Sequence, residues 1–168
     1  MTAGVAEAGL ALWIRPEMLL GDLTGENPAD ALEQIASGMA RADAGISARA
    51  ACAGFLEREA LGTTAIGEGF AIPHCRLAGV TSVRMALARH PIGIDFGALD
   101  GTRVRAFFAL IAPRTGAPAH LEALAAIARF LRDPERRRRV LEAQKTADLL
   151  AFLTGHGLDG PAERPNAR

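Results

Sequence analysis

Residues 67–75 read GEGFAIPHC, so an apolar run ends at Pro73 and a histidine, His74, follows at once. Proline lacks a backbone N–H and forces the preceding Ile72 into an extended conformation, so we expect a strand to end here. The imidazole of His74 would then be held on a stiff backbone at the edge of a sheet. Such a position suits a presented nucleophile, and it suits an ordinary turn equally well.

The composition is that of one globular domain without a global charge. The chain has 168 residues, 49% of them hydrophobic, which is enough for a substantial core. Its 19 basic and 19 acidic residues cancel, which argues against a nucleic-acid or membrane-surface partner. Two cysteines without CxxC spacing favour a reduced, cytoplasmic setting. We find no signal-peptide pattern and no apolar run near the roughly 20 residues of a spanning helix.

Helical spacing occupies the first third and the last third of the chain. Asn27-Pro28 reads as an N-cap followed by proline at the first helical position, and Asp133-Pro134 repeats that pattern. The apolar period predicts helices from Pro28, from Ser47 to about Leu61, from His120 to Leu131, from Pro134 to about Ala143, and over residues 146–153.

The middle of the chain reads as β-structure. Three glycines surround short β-favouring pieces between Thr63 and Ile72, and residues 83–88 alternate apolar with other side chains. Residues 104–112, VRAFFALIA, form a continuous apolar run typical of a central strand covered on both faces. We therefore predict an α/β (α+β) fold: a single domain with a mixed central β-sheet and helices on both faces.

The four histidines and two cysteines each have a plain structural explanation when taken singly. His156 lies between two glycines in the tail, and His90 precedes Pro91 in an expected charged turn. Cys75 points away from His74 if the backbone is extended, so we interpret it as a packed thiol. No pair has metal-ligand spacing, and we expect neither a metal nor a cofactor.

His120 stands apart because it opens a predicted helix, where free backbone N–H groups favour an anion and disfavour a charged imidazole. The plain alternative is a tolerated surface residue at a helix start. The run Arg136–Arg139 points to all sides of a helix, so we read it as a solvated face rather than a DNA-binding stripe. An acidic protein partner for it stays open.

Three stretches together resemble a known family. They are REALGTTAIGEGFAIPH at residues 58–74, IDFGALDG at residues 94–101 and HLEALAAIARFLRD at residues 120–133. They resemble the enzyme IIA domain of the fructose/mannitol type, from the bacterial phosphoenolpyruvate-dependent phosphotransferase system, which includes nitrogen-regulatory enzyme IIA proteins. The resemblance runs from about Leu12 to Leu153. It implies a domain over residues 1–154. Residues 155–168 have no apolar period, so we expect them to form a disordered tail.

The resemblance assigns roles to three positions. His74 matches the phosphoacceptor histidine at the end of the AIPH motif, and His120 matches the second active-site histidine. Arg58 matches the arginine that faces the phosphoryl group. Relatives commonly have glycine or alanine at the position of Cys75, and often isoleucine at that of Phe70.

Three functional hypotheses follow from the resemblance. The first is a phosphocarrier of the nitrogen-regulatory kind, which takes phosphate from an HPr-like protein and controls regulated target proteins. The second is a sugar-uptake enzyme IIA that passes phosphate to an enzyme IIB. The third is a silent binding module, which the joint presence of the three chemical positions argues against.

Overall fold

The computed structural model describes residue 10 and residues 12–153. Within them lie six strands and five helices. In chain order these are β1 (Ile14–Asp22), α1 (Pro28–Ala42), α2 (Ala48–Ala60), β2 (Ala65–Gly67), β3 (Phe70–Ala71), β4 (His74–Leu77), β5 (Arg84–Ile94), β6 (Val104–Pro113), α3 (Ala117–Leu131), α4 (Pro134–Glu142) and α5 (Thr146–Leu153). None of the described helices combines the length and apolar character needed to cross a membrane.

The sheet is mixed, as predicted. Strand β6 pairs antiparallel with β5, and β5 pairs parallel with β1. On its other side β6 pairs parallel with β3 and then with β4, while the short β2 pairs antiparallel with β3. The two short strands β3 and β4 therefore pair, one after the other, with successive parts of the same edge of β6.

Helices cover both faces of the sheet, which confirms the predicted fold class. The side chains of β6 alternate, so that Phe107 and Ile111 join one apolar cluster while Phe108 and Leu110 join the other. The first cluster is completed by α1 and α2, through residues such as Ile35 in α1 and Phe55 in α2. The second is completed by residues of α3, α4 and α5: Ile127, Phe130, Val140 and Phe152.

We predicted that a strand ends at Pro73. The chain returns to the sheet at His74, so that prediction is corrected. Phe70 and Ala71 pair with Ala106 and Phe107, and His74 pairs with Leu110 in the same register. Only Ile72 and Pro73 leave the ladder, since proline has no N–H to donate. The Leu110 N–H still reaches the Pro73 carbonyl, at 2.9 Å. Strands β3 and β4 thus behave as one strand with a break.

Three further boundaries differ from expectation. Strand β1 has no counterpart among the predicted elements, because Pro16 and exposed charged residues interrupt its period. Strand β5 runs on through Pro91 to Ile94 with an irregular register, because Ile94 pairs with Val104 of β6 beyond the irregular part. Helix α3 begins at Ala117, one turn before His120, with proline at its start. The predicted caps Asn27 and Asp133 are confirmed by their side-chain hydrogen bonds, and Ser47, predicted as a helix start, also acts as a cap.

Candidate functional site

The break before β4 determines how the imidazole of His74 is held. Its Nδ1 lies 2.8 Å from the carbonyl oxygen of Ile72. Because a carbonyl only accepts hydrogen bonds, Nδ1 must carry the proton. In the neutral ring the other nitrogen, Nε2, then holds the lone pair. A backbone carbonyl beside the break therefore sets the tautomer of the ring.

Arg58 meets that lone pair from the last turn of α2. Its Nε–H donates to Nε2 of His74 at 3.2 Å, and its Nη1 donates to the carbonyl of Gly62 at 2.9 Å. The turn that carries Gly62 is itself held by Glu59, whose two carboxylate oxygens accept from the N–H and the hydroxyl of Thr64, at 2.9 and 2.6 Å. The guanidinium is thus positioned by the end of its own helix.

His120 lies against His74 from the opposite side. The two ring centroids are 5.5 Å apart and the rings are tilted by 59°. The residue is only 7% exposed, so the alternative of a tolerated surface residue is wrong. Burial, and then the charges of His74 and Arg76, lower the pKa of the His120 imidazole. Its Nδ1 is buried without a hydrogen-bond partner among the described residues. A neutral ring is the form that these surroundings favour.

The three residues converge because β4 lies at the rim of the sheet, where both helical layers can reach it. Cys75 packs in the cluster of α1 and α2, whereas Leu110, the register partner of His74, belongs to the cluster of α3 to α5. Arg58 comes from the first layer and His120 from the second. The helical layers on the two faces of the sheet therefore supply one side chain each to the imidazole of His74.

The site opens to solvent through a depression of about 390 Å³. Arg58, His74 and His120 line it, together with Arg76 of β4 and Leu61 just beyond α2. Leu61 is 85% exposed, and Leu121, next to His120, is 62% exposed. Gly54, Glu57 and Cys75 complete the lining, and a shallow opening with an exposed leucine fits a protein surface better than a small buried ligand.

Arg76 is the site residue that the sequence analysis missed. It lies two positions after His74 in β4, so strand alternation places both side chains on one face. Its Nη1 lies 3.4 Å from the carbonyl of Pro113, at the outer limit of a hydrogen bond. If the predicted strand had extended past Pro73, the alternation of side chains would have placed Arg76 on the same face as His74.

The other candidate residues have structural roles. His90 is 7% exposed and lies within β5, not in a charged turn; its Nε2–H donates to the carbonyl of Gly25 at 3.1 Å, and its Nδ1 accepts from the N–H of Gly93 at 2.9 Å. Cys75 is buried, as predicted, and burial raises the pKa of its thiol to about 12. His156 lies outside the described residues. Among those described, no three His, Cys, Asp or Glu side chains group as metal ligands would.

The arginine run of α4 is satisfied within the fold. Arg136 and Arg139 stack over Phe130 and Phe152, at 5.4 and 4.2 Å from the ring centroids. Arg137 donates to the carbonyl of Leu131 at the end of α3, at 2.6 Å. Arg138 pairs with Glu135 and Glu142 on its own helix. Only Arg138 is exposed, so the predicted solvated face is wrong for the other three arginines, and the run forms no single-sided basic stripe.

Comparison with known proteins gives consistent matches over this fold. A family model described as "Phosphoenolpyruvate-dependent sugar phosphotransferase system, EIIA 2" matches residues 14–156. A nitrogen regulatory protein of Bradyrhizobium diazoefficiens is 40% identical over 73% of this chain and 79% of its own. A fructose-specific EIIA component of Haloferax volcanii is 38% identical over 61% of this chain and 68% of its own. The crystal structure of the nitrogen regulatory protein IIA-Ntr from Neisseria meningitidis, 26% identical, superposes with a TM-score of 0.78 over 86% of this chain and 99% of that one.

Proposed function

Because the chain belongs to the EIIA 2 family of the phosphoenolpyruvate-dependent sugar phosphotransferase system, we propose that it is a phosphocarrier that accepts a phosphoryl group on Nε2 of His74. One observation carries the proposal. The hydrogen bond from Nδ1 to the Ile72 carbonyl leaves Nε2 unprotonated, next to a guanidinium and at the opening. A nucleophile in this tautomer needs no base to remove a proton.

The proposed step exchanges one N–P bond for another. The lone pair of Nε2 attacks phosphorus, the N–P bond of the donor phosphohistidine breaks, and its electron pair stays on the donor imidazole. Nδ1 keeps its proton, and its bond to the Ile72 carbonyl stabilises the positive charge that the ring gains. The protein mainly has to position the groups and stabilise charge on the three transferred oxygens.

Arg58 and His120 supply that stabilisation in the proposed mechanism. The Nε–H of Arg58 occupies the attacking lone pair in the resting protein, so it must move to a phosphoryl oxygen as the new bond forms. Guanidinium groups suit this exchange because their donors form a planar fork that matches phosphate oxygens. His120, held neutral by burial, donates one N–H to another oxygen.

We propose an HPr-like protein of the cytoplasm as the donor and a regulated protein as the main recipient of the signal. The exposed Leu61, which lines the opening, and the exposed Leu121, next to His120, suit a protein partner. The nitrogen-regulatory branch is favoured by the relative of that name, which this chain matches over most of both lengths. A sugar-uptake role, with transfer to an enzyme IIB, is the second candidate, favoured by the fructose-specific relative.

The decisive experiment is phosphorylation by a purified phosphorylated HPr-like donor, followed by intact-mass analysis. We expect one added phosphate that is labile in acid and stable in alkali. His74→Ala should gain none, whereas His156→Ala, a matched loss of one histidine, should behave as the parent protein. An acid-labile phosphate on the His74→Ala protein would refute the assignment. Pull-downs with the phosphorylated and unphosphorylated forms then separate the two branches, since an enzyme IIB would be recovered only in the sugar-uptake case.

A further inference from the structure

Helix α2 lies unusually close to β4 where Gly54 faces Cys75. A Cβ atom added at Gly54 would lie 2.9 Å from the Cβ of Cys75 and 3.0 Å from its sulfur. Real Cβ atoms do not approach their neighbours so closely, and the nearer atom belongs to the rigid base of a side chain rather than to a flexible end. The sulfur also lies 4.0 Å from the Ala51 carbonyl, one turn earlier in α2. The helix and the strand are therefore in direct contact here.

Helix propensity alone would favour another residue at this position. Gly54 lies in the interior of α2, where alanine is the better helix former and glycine increases the entropy lost on folding. Three of the four preceding helical positions are alanine. The close approach to Cys75 is the physical reason why this position has to lack a side chain.

The distance between α2 and β4 at this contact sets the position of the Arg58 backbone relative to His74. Arg58 follows Gly54 by four residues on the same helix, so it lies on the same face one turn later. From there its side chain reaches to the imidazole of His74, the residue directly before Cys75. The distance of 3.2 Å from Nε to Nε2 is already at the upper end for an N–H donor. A small outward movement of α2 would break that bond.

We propose that Gly54 and Cys75 form a spacer pair that positions Arg58 over His74. This inference rests on the proposed function of the site. Because Gly54 has no side chain, the helix can lie directly against the Cys75 side chain. The helix then stays near enough for Arg58 to reach His74, the phosphoryl acceptor. Gly54 and Cys75 are positioning residues: neither is expected to touch the transferred group.

A double-variant cycle tests the spacer pair. Gly54→Ala should slow phosphoryl transfer by about tenfold or more, approaching the loss of one preorganised donor. Cys75→Gly, which removes both clashing atoms, should restore transfer when combined with Gly54→Ala. Gly38→Ala is the matched control, because its Cβ would meet only the flexible end of the Leu20 side chain in α1's own contact with β1. We expect parent-like transfer for that control.

The second readout is the Arg58 Nε–H signal in NMR spectra, which reports the contact with His74 without any phosphoryl transfer. It should exchange rapidly with water in Gly54→Ala and slowly in the parent protein, the control and the double variant. Normal transfer and slow exchange in Gly54→Ala would overturn the proposal. If Gly54→Ala fails to fold, the folded double variant decides, since slow transfer there would overturn it as well. A parent protein that accepts no phosphate refutes the proposed function instead, and the NMR comparison still tests the spacer.

Discussion

The molecule places a histidine beside a proline twice, at Pro73-His74 and at His90-Pro91, and the two pairs have opposite surroundings. The ring of His90 is closed on both sides, because Gly25 accepts from one nitrogen and Gly93 donates to the other. The ring of His74 has one nitrogen bound to the backbone and the other bound to a side chain, Arg58. Both rings lie in strands and both line surface depressions, so the difference is that a side chain holds the second nitrogen of His74 whereas the backbone holds that of His90.

The difference shows what distinguishes a reactive imidazole from a structural one. A lone pair held by a backbone N–H in a closed corner cannot be released without unfolding that corner. A lone pair held by a long side chain can be released when that side chain finds a better acceptor, such as a phosphoryl oxygen. The arginines follow the same rule: those of the run at Arg136–Arg139 are used within the fold, whereas Arg58 and Arg76 face the opening.

Replacing Arg58, which holds the lone pair of His74, should have the largest effect on the rate of phosphoryl transfer. Arg58→Ala should slow phosphoryl transfer by about 10²–10³, because one preorganised charge-stabilising donor is lost while the nucleophile remains. Arg58→Lys should also be impaired, since lysine keeps the charge and lacks the planar fork. Single-turnover transfer rates measure both effects, with thermal melts as the folding control. Parent-like rates in both variants would contradict the proposed role of the guanidinium.

His90 should give the converse result. In His90→Ala the carbonyl of Gly25 and the N–H of Gly93 lose their partners in a buried corner, so we expect the free energy of unfolding to fall by about 2–3 kcal/mol. Phosphoryl transfer, measured well below the melting temperature, should not change. Urea denaturation gives the first quantity. Slower phosphoryl transfer in a fully folded His90→Ala protein would contradict the claim that His90 has only a structural role.

A smaller effect is expected from Arg76. Replacing Arg76 with glutamine should lower the rate of transfer by about tenfold at low salt, because an exposed charge beside the site steers a negatively charged donor. The difference should shrink as salt screens the charge. Arg105→Gln is the matched control: Arg105 is also exposed, and its guanidinium likewise lies 3.4 Å from a backbone carbonyl, that of Leu141. Equal losses in both variants would point to net charge rather than to the site.

The smallest effect concerns acid stability. The pKa of His120 is lowered in the folded protein from its ordinary 6.5, so below that pH the unfolded chain binds a proton that the folded protein resists. Stability is therefore lost as the pH falls from about 6.5 toward the folded pKa. His120→Gln should flatten this part of the curve, because glutamine does not titrate. Melting curves at a series of pH values measure it, and two parallel curves would show that His120 is not the cause.

Much of the architecture could be read from local patterns. The caps at Asn27, Ser47 and Asp133, the alternation of residues 83–88 and the apolar run of residues 104–112 each depend on neighbouring residues alone. The prediction failed where the tertiary structure supplied the pairing. Strand β1 is held by β5 despite Pro16, and β4 continues past Pro73 because β6 keeps its register.

Sequence patterns were sufficient to predict the helix starts other than that of α3, the central strand, the helices on both faces of the sheet and the motif around His74. The helices and strands follow from periodicity and capping, which act over a few residues, whereas the motif was identified by its resemblance to a known family. The packing of the fold decides that Arg58 and His120 meet His74 from opposite layers, and that Gly54 lets α2 lie against Cys75. The reason is physical: these contacts join segments far apart in the chain, and distances of about 3 Å are fixed by how the layers pack.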